Sequence, residues 1–213
     1  MNKVININSL SEIVNKYDLF IIDQWGVLHD GKKAYDDALK CINKLINLKK
    51  KLILISNSSK RKHNTIARLP ELGFNDNDFL EVVTSGEIIW QRLYNQSDDF
   101  IKQLGKKCFF LTDKKKKDGL RYIDGLKYDF VENIEEADFI LGCTTTPGLS
   151  TIDYVPLLEK AIKNKIPFIC ANPDYETVES TSNKLNICMG AIAELYKTFG
   201  GLVIIMGKPS IDI

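Results

Sequence analysis

Leu19-Phe20-Ile21-Ile22-Asp23-Gln24-Trp25-Gly26-Val27-Leu28 is the stretch on which the reading of this chain turns. Four consecutive apolar residues stop at a carboxylate, and Gly26 and the turn-forming pair Asp30-Gly31 follow. A short apolar run closed by turn residues reads as a buried strand. Asp23 then sits at its C-terminal end, on the side where open α/β sheets bind ligands.

The same pattern recurs outward from that point. Leu52–Ile55 is a second strand ending at Ser56-Asn57, and between the two strands Ala38, Ile42, Leu45 and Ile46 form one helical stripe. Asn64 to Leu72 has helical character, with Pro70 expected to strain or end it. Val82–Val83 is a short strand; Thr84 and Ser85 then cap a helix through Tyr94 that carries Glu87 in its first turn. Cys108–Leu111, Phe139–Leu141 and Phe168–Ile169 read as further strands, with a helix from about Asp153 to Lys163. Met189–Phe199 is helical, and the strand Leu202–Met206 leaves through Gly207-Lys208-Pro209-Ser210. Strands alternating with helices predict an α/β fold with a largely parallel sheet. Asp23, Ser56/Asn57 and Gly207/Lys208 each occupy a strand end, so three polar ends are expected to meet in one crevice.

Composition narrows the function. The chain has 213 residues, 44% hydrophobic and 27% charged, an ordinary globular balance. A formal net charge of +1 provides no global field for nucleic acid or an anionic membrane. The Lys114–Lys117 run lacks interleaved aromatics and reads as a solvated loop. Cys41, Cys108, Cys143, Cys170 and Cys188 form no Cys-x-x-Cys pair, and the two histidines, His29 and His63, are too few for a zinc cluster. With no signal-like core in Met1–Lys16 and no membrane-length apolar stretch, a cytoplasmic, reducing setting fits best. His29 and Asp30 read as turn residues, and Trp90 as a packing residue on its helix.

Three of these segments carry a family likeness. The Leu19–Leu28 segment resembles motif I of the haloacid dehalogenase (HAD) superfamily, and Ile53-Leu54-Ile55-Ser56-Asn57 resembles motif II. Gly207-Lys208-Pro209-Ser210 resembles motif III of its class IIA branch, the nitrophenylphosphatase-like and pyridoxal-phosphate-phosphatase-like proteins. Val83-Thr84-Ser85-Gly86-Glu87 and Cys170-Ala171-Asn172-Pro173-Asp174 look like landmarks of the same branch. The resemblance implies a Rossmann-like parallel core with an inserted α/β cap of the C2 type. Residues 1–100 and 200–213 would belong to the core and 101–199 to the cap.

It also implies a Mg²⁺-dependent phosphatase of a small phosphomonoester. Asp23 would be the nucleophile that forms an aspartyl-phosphate, with Lys208 neutralising charge beside it. Ser56, Asn57 and Lys208 would bind the phosphoryl group; Ser56 would act through its hydroxyl and Asn57 through its backbone N–H. Mg²⁺ would sit on the Asp23 carboxylate and the Trp25 backbone carbonyl. Asn172 and Asp174 of the cap would reach the leaving group. A homo-oligomer through the cap is left open.

The pattern breaks in two places. Superfamily phosphatases usually carry a second aspartate, a general acid–base worth ~10²–10⁴-fold, where this chain has Trp25. Trp25 could instead offer a flat wall to a ring-bearing substrate. The sequence also stops at Ile213, five residues after Lys208, before the acidic fourth motif. That predicts a truncated chain or degraded gene with weak Mg²⁺ binding, little turnover and an unpaired apolar edge beside Leu19–Ile22. A catalytically weak phosphometabolite-binding protein is the alternative function. A dinucleotide-binding oxidoreductase fares badly, since no Gly-x-Gly-x-x-Gly follows the first strand.

Overall fold

A computed structural model describes residues 6–115, 117–178, 185–211 and 213. Its elements begin with β1 (Leu19–Asp23), α1 (Asp36–Asn47), β2 (Lys51–Ser56), α2 (Lys62–Arg68), β3 (Glu81–Thr84) and α3 (Ser85–Asn95). There follow α4 (Asp99–Gln103), β4 (Lys107–Leu111), α5 (Lys117–Leu120), β5 (Asp129–Val131), β6 (Phe139–Gly142) and α6 (Val155–Lys163). The chain continues through β7 (Phe168–Cys170), β8 (Glu176–Val178), β9 (Leu185–Ile187), α7 (Met189–Thr198) and β10 (Val203–Ile205).

Two parallel sheets organise these elements. The first has the order β1-β2-β3, and its register pairs Asp23 with Ile55 and Ser56 with Thr84. The ends of β1 and β2 therefore lie in step, which puts Asp23 and Ser56 at one rim. Behind that rim, α1 turns Ile42 and Leu45 onto Leu52, Leu54 and Val82. Leu52 and Leu54 are fully buried, each worth about 1.5–3 kcal/mol of hydrophobic stabilisation. Asp36 and Asp37 occupy the first turn of α1, where negative charge suits the helix dipole.

The second sheet has the order β10-β7-β6-β4-β5 and is covered on both faces. Ile89 and Leu93 of α3 pack with Cys108, Phe139 and Leu141 on one face. Leu158 and Ala161 of α6, with Ile192, Ala193 and Tyr196 of α7, cover Ile140, Phe168 and Cys170 on the other. The antiparallel hairpin β8-β9 lies outside both sheets.

The apolar stripe of α3 faces the second sheet, and β10 pairs with β7, so the elements from Ser85 to about Met206 pack together as a second unit. Two expectations need correction. β1 is buried on one face only: Phe20 and Ile22 pack inward, whereas Leu19 is 42% and Ile21 63% exposed. Among the described residues β1 pairs only with β2, so its other edge is open. The helix expected over Asn64–Leu72 breaks after Arg68, and Pro70–Leu72 forms a 3₁₀ turn ending at left-handed Gly73. Pro70 has no N–H to continue the α-helix and opens that turn instead. Lys114 pairs with Glu132, as suits a solvated loop, while Lys116 lies outside the described residues.

Candidate active site

The strand ends and the second unit enclose a cleft of about 1170 Å³. Asp23, Trp25, His29, Ser56, Asn57 and Lys208 line it, together with Thr144, Asn172 and Asp174. The Lys208 ammonium forms an ion pair with the Asp23 carboxylate and reaches the Ile55 carbonyl at 3.4 Å. Ser56 Oγ is buried and accepts the Ser58 N–H at 3.2 Å, which leaves its own hydroxyl proton to donate elsewhere. Asp23, Ser56 and Lys208 thus share one rim although 185 residues separate the first from the last.

Lys208 is held there by Asn57. The Asn57 Oδ1 accepts the Lys208 backbone N–H at 2.7 Å, and its Nδ2 donates to the Lys208 carbonyl at 3.2 Å. The same Nδ2 donates to Asp174 Oδ1 at 2.8 Å, and Ser85 Oγ donates to Oδ1 at 3.4 Å. Gly207 makes this approach possible. It has φ +145°, and a Cβ there would collide with Ser85 Oγ, Pro173 Cγ and Asn57 Oδ1.

The Asn57 side chain is therefore a brace, a role the sequence does not show. Asp174, expected at the leaving group, lines the cleft and accepts the Asn57 amide on one carboxylate oxygen. Asn172 is likewise engaged in its own loop, where its Oδ1 accepts the Asp174 N–H at 3.0 Å. The charge-assisted Asn57–Asp174 bond ties the loop across the seam between the units.

A second tie lies beside the first. Arg61 Nε donates to Glu87 Oε2 at 2.7 Å, and the Lys62 N–H donates to the same oxygen at 2.9 Å. Burial alone would raise the Glu87 pKa, but these bonds and the Arg61 charge hold it below the ordinary carboxylate range. Arg61 also lies 3.5 Å over the Trp90 ring, which stacks on Tyr94, so Trp90 packs as its helix position suggests.

The loop after β1 departs from expectation at one residue. Asp30 is a turn residue, its Oδ1 accepting the Lys32 and Lys33 N–H groups at 2.8 and 2.9 Å. His29 is instead buried at the cleft wall, edge-on to Trp25 with ring centroids 5.7 Å apart. Burial, then the nearby Arg68 charge, lowers its pKa against the opposing pull of Asp30. The Trp25 indole is 40% exposed and lies over Gly31, where a Cβ would strike it.

Donors for a metal are few. Lys208 occupies one Asp23 oxygen and leaves the other, and no backbone N–H bonds the Trp25 carbonyl among the described residues. No group of three His, Cys, Asp or Glu side chains converges there among those residues. One carboxylate oxygen and one carbonyl oxygen still suit Mg²⁺, which commonly takes one or two protein carboxylates and fills its sphere with phosphate and water.

Residues 20–124 match the family model described as haloacid dehalogenase-like hydrolase. A haloacid dehalogenase-like hydrolase from Brucella suis 1330 superposes with a TM-score of 0.80 at 28% identity, over 94% of this chain and 69% of that one. The likeness is to the haloacid dehalogenase superfamily, by family model over residues 20–124 and by fold over 94% of the chain. Glycerol phosphate phosphatase from Mycobacterium tuberculosis, solved with calcium, shares the fold at TM-score 0.64 and 20% identity, over 94% of this chain and 56% of its own. The p-nitrophenyl phosphatase of Archaeoglobus fulgidus gives 0.62 at 20% identity, covering 91% and 69%. No curated protein matches the chain. The haloacid dehalogenase fold thus accounts for the parallel strands whose ends carry Asp23 and Ser56. No helix among the described residues is long and apolar enough to cross a membrane.

Proposed function

We propose that this haloacid dehalogenase-like chain cleaves a small phosphomonoester, with Asp23 as nucleophile. The observation that supports it is the meeting of the Asp23 carboxylate, the Ser56 hydroxyl and the Lys208 ammonium at one rim of a cleft. An Asp23 oxygen attacks phosphorus, the P–O ester bond breaks, and the released oxygen takes a proton from water. Water then hydrolyses the aspartyl-phosphate and returns the free carboxylate. Lys208 and Ser56 offset the charge on the phosphoryl oxygens. The second unit, Ser85 to about Met206, is read as the cap that walls the cleft.

Mg²⁺ is the cofactor this reading calls for, held by the free Asp23 oxygen and the Trp25 carbonyl. When bound, it would supply positive charge to the phosphoryl oxygens. Nothing at position 25 can give the leaving oxygen a proton. That favours a second reading, a phosphometabolite-binding protein of low turnover, which uses the same rim. A cytoplasmic setting suits the five free thiols.

The test is hydrolysis of p-nitrophenyl phosphate with Mg²⁺, paired with a beryllium fluoride thermal shift. Turnover and a shift that both vanish in Asp23→Asn are the expected result. No turnover in the unmodified chain, with a phosphomonoester shift that is the same in Asp23→Asn, would favour the binding protein. No shift and no turnover with either probe would sink both readings.

A further inference from the structure

We infer that His29 is a specificity-determining residue, donating its Nε2–H to an oxygen on the part of the substrate beyond the phosphoryl group. The inference rests on the phosphomonoester reading above. It starts from the ring's hydrogen bonds. His29 Nδ1 accepts the Gly31 N–H at 3.0 Å, so Nδ1 carries no proton and the neutral ring bears its proton on Nε2. That tautomer can donate from Nε2 and cannot accept there, which excludes a general-base role.

The ring is also fixed in place. The His29 N–H donates to the Gln24 carbonyl at 3.3 Å, its carbonyl accepts the Gly26 N–H at 2.8 Å, and Trp25 packs edge-on against the imidazole. Arg68 donates to the Gly31 carbonyl and so steadies the residue that holds Nδ1.

His29 is 5% exposed and lines the cleft. Among the described residues no protein group hydrogen-bonds its Nε2, and that nitrogen is not among the sealed, unpaired polar atoms. It therefore keeps access to solvent, on a side chain that lines the cleft. A donor this buried, held in one tautomer and left unanswered by protein, is built for an acceptor that arrives with a ligand. Asp23, Ser56 and Lys208 already supply the phosphoryl grip at the strand ends. His29 lines the same cleft from the loop past Trp25, outside that set of three groups. The class of substrate that fits carries a hydroxyl or carbonyl oxygen near its ester, as polyol and sugar phosphates do.

The experiment measures equilibrium binding in the Asp23→Asn background of the full chain, where turnover does not interfere. The probes are inorganic phosphate, phenyl phosphate, glycerol 3-phosphate and ribose 5-phosphate. At least one of the two hydroxyl-bearing esters should bind more tightly than phenyl phosphate. His29→Phe should cut that preference about fivefold to tenfold, the scale of one neutral hydrogen bond. Inorganic phosphate should stay within about twofold, and His29→Gln, which keeps an N–H donor, should regain part of the loss. Equal losses for all four probes would place the donor on the phosphoryl group or in the fold, and overturn the inference. So would the absence of any preference before substitution, or a preference unmoved by His29→Phe. Failure of inorganic phosphate to bind at all would instead refute the phosphomonoester reading itself, and this inference with it.

Discussion

Asn57→Ala is the substitution that most directly tests how the rim is built. It removes the acceptor for the Lys208 N–H, the donor to the Lys208 carbonyl and the donor to Asp174, on a residue only 8% exposed. Each neutral bond is worth about 0.5–1.5 kcal/mol net, and the part-buried Lys208 N–H would lose its acceptor. The Asp174 carboxylate is exposed, so its bond is discounted to less than about 1 kcal/mol. The sum is about 2–4 kcal/mol. For a chain of this size each kcal/mol moves Tm by roughly 2–4 °C, so a fall of roughly 4–16 °C is expected in a thermal melt. Turnover should fall with it, because the backbone that carries the Lys208 ammonium loses its anchor. Asn57→Asp keeps the acceptor but sets two carboxylates face to face, and adding Asp174→Asn should restore part of the loss. A Tm for Asn57→Ala within about 2 °C of the unmodified chain would refute the brace.

Other outcomes follow from the same packing and hydrogen bonds. Glu87 has a folded pKa below its unfolded one, so its stabilisation is present above about pH 4.5 and lost as pH falls through the folded value; Glu87→Gln should flatten the acid limb of a pH–Tm curve below pH 5, and an unchanged slope would count against the Arg61 pairing. Gly207→Ala should lower stability by about 1–3 kcal/mol and impair activity, whereas Gly148→Ala, with positive φ but open space around it, should cost at most about 1 kcal/mol; equal effects in a denaturant titration would refute the packing argument. Iodoacetamide should label Cys41 alone in the native chain. Burial seals the other four, pushing the Cys170 thiol up to about 12 and Cys188 up to about 11, and prompt labelling of Cys143 would contradict this. Trp25→Asp should raise turnover of an alkyl phosphate at least ~10-fold while changing p-nitrophenyl phosphate far less; an equal change for both would show that leaving-group protonation is not what position 25 lacks.

The parts of this structure legible in the sequence are those set by local pattern. The run before Asp23, the run before Ser56 and the stripe Ile42/Leu45 each have the periodicity of their element, and each forms it. Thr84 caps α3 through the Glu87 N–H at 3.1 Å, as its residue type suggests. What local pattern cannot supply is allegiance between distant segments. The Ile89/Leu93 stripe says that α3 has an apolar face, but not which sheet it covers. Leu19 and Ile21 look as buried as Phe20 and Ile22 in a linear string, yet only the latter pair meets the helices. β5, β8 and β9 are three residues each, too short to carry an alternation. At the site, the Asp23–Lys208 meeting came from the resemblance and the strand-end rule together. The Asn57 brace and the His29 donor had no signal, since both depend on which side-chain atom faces which neighbour.

The brace bears on catalysis through where Lys208 comes from. Asp23 and Ser56 end strands of the first sheet, so their spacing is fixed by the ladder between β1 and β2. Lys208 arrives from β10, the edge of the second sheet, and among the described residues no ladder connects it to Asp23. Its position relative to the nucleophile is therefore set by the seam, chiefly by Asn57, with Arg61–Glu87 holding the neighbouring loop. On the proposed chemistry, a shift of the second unit alters the ammonium's distance from the phosphoryl group and leaves the Asp23–Ser56 pair intact. Charge stabilisation falls off with distance, whereas nucleophile placement does not change. Loosening the seam should thus lower kcat more than it raises KM for a substrate bound mainly through the cleft walls. Without an acid at position 25, the negative charge on the leaving oxygen must be met by water or by fixed donors, so that dependence should be steepest for the poorest leaving groups.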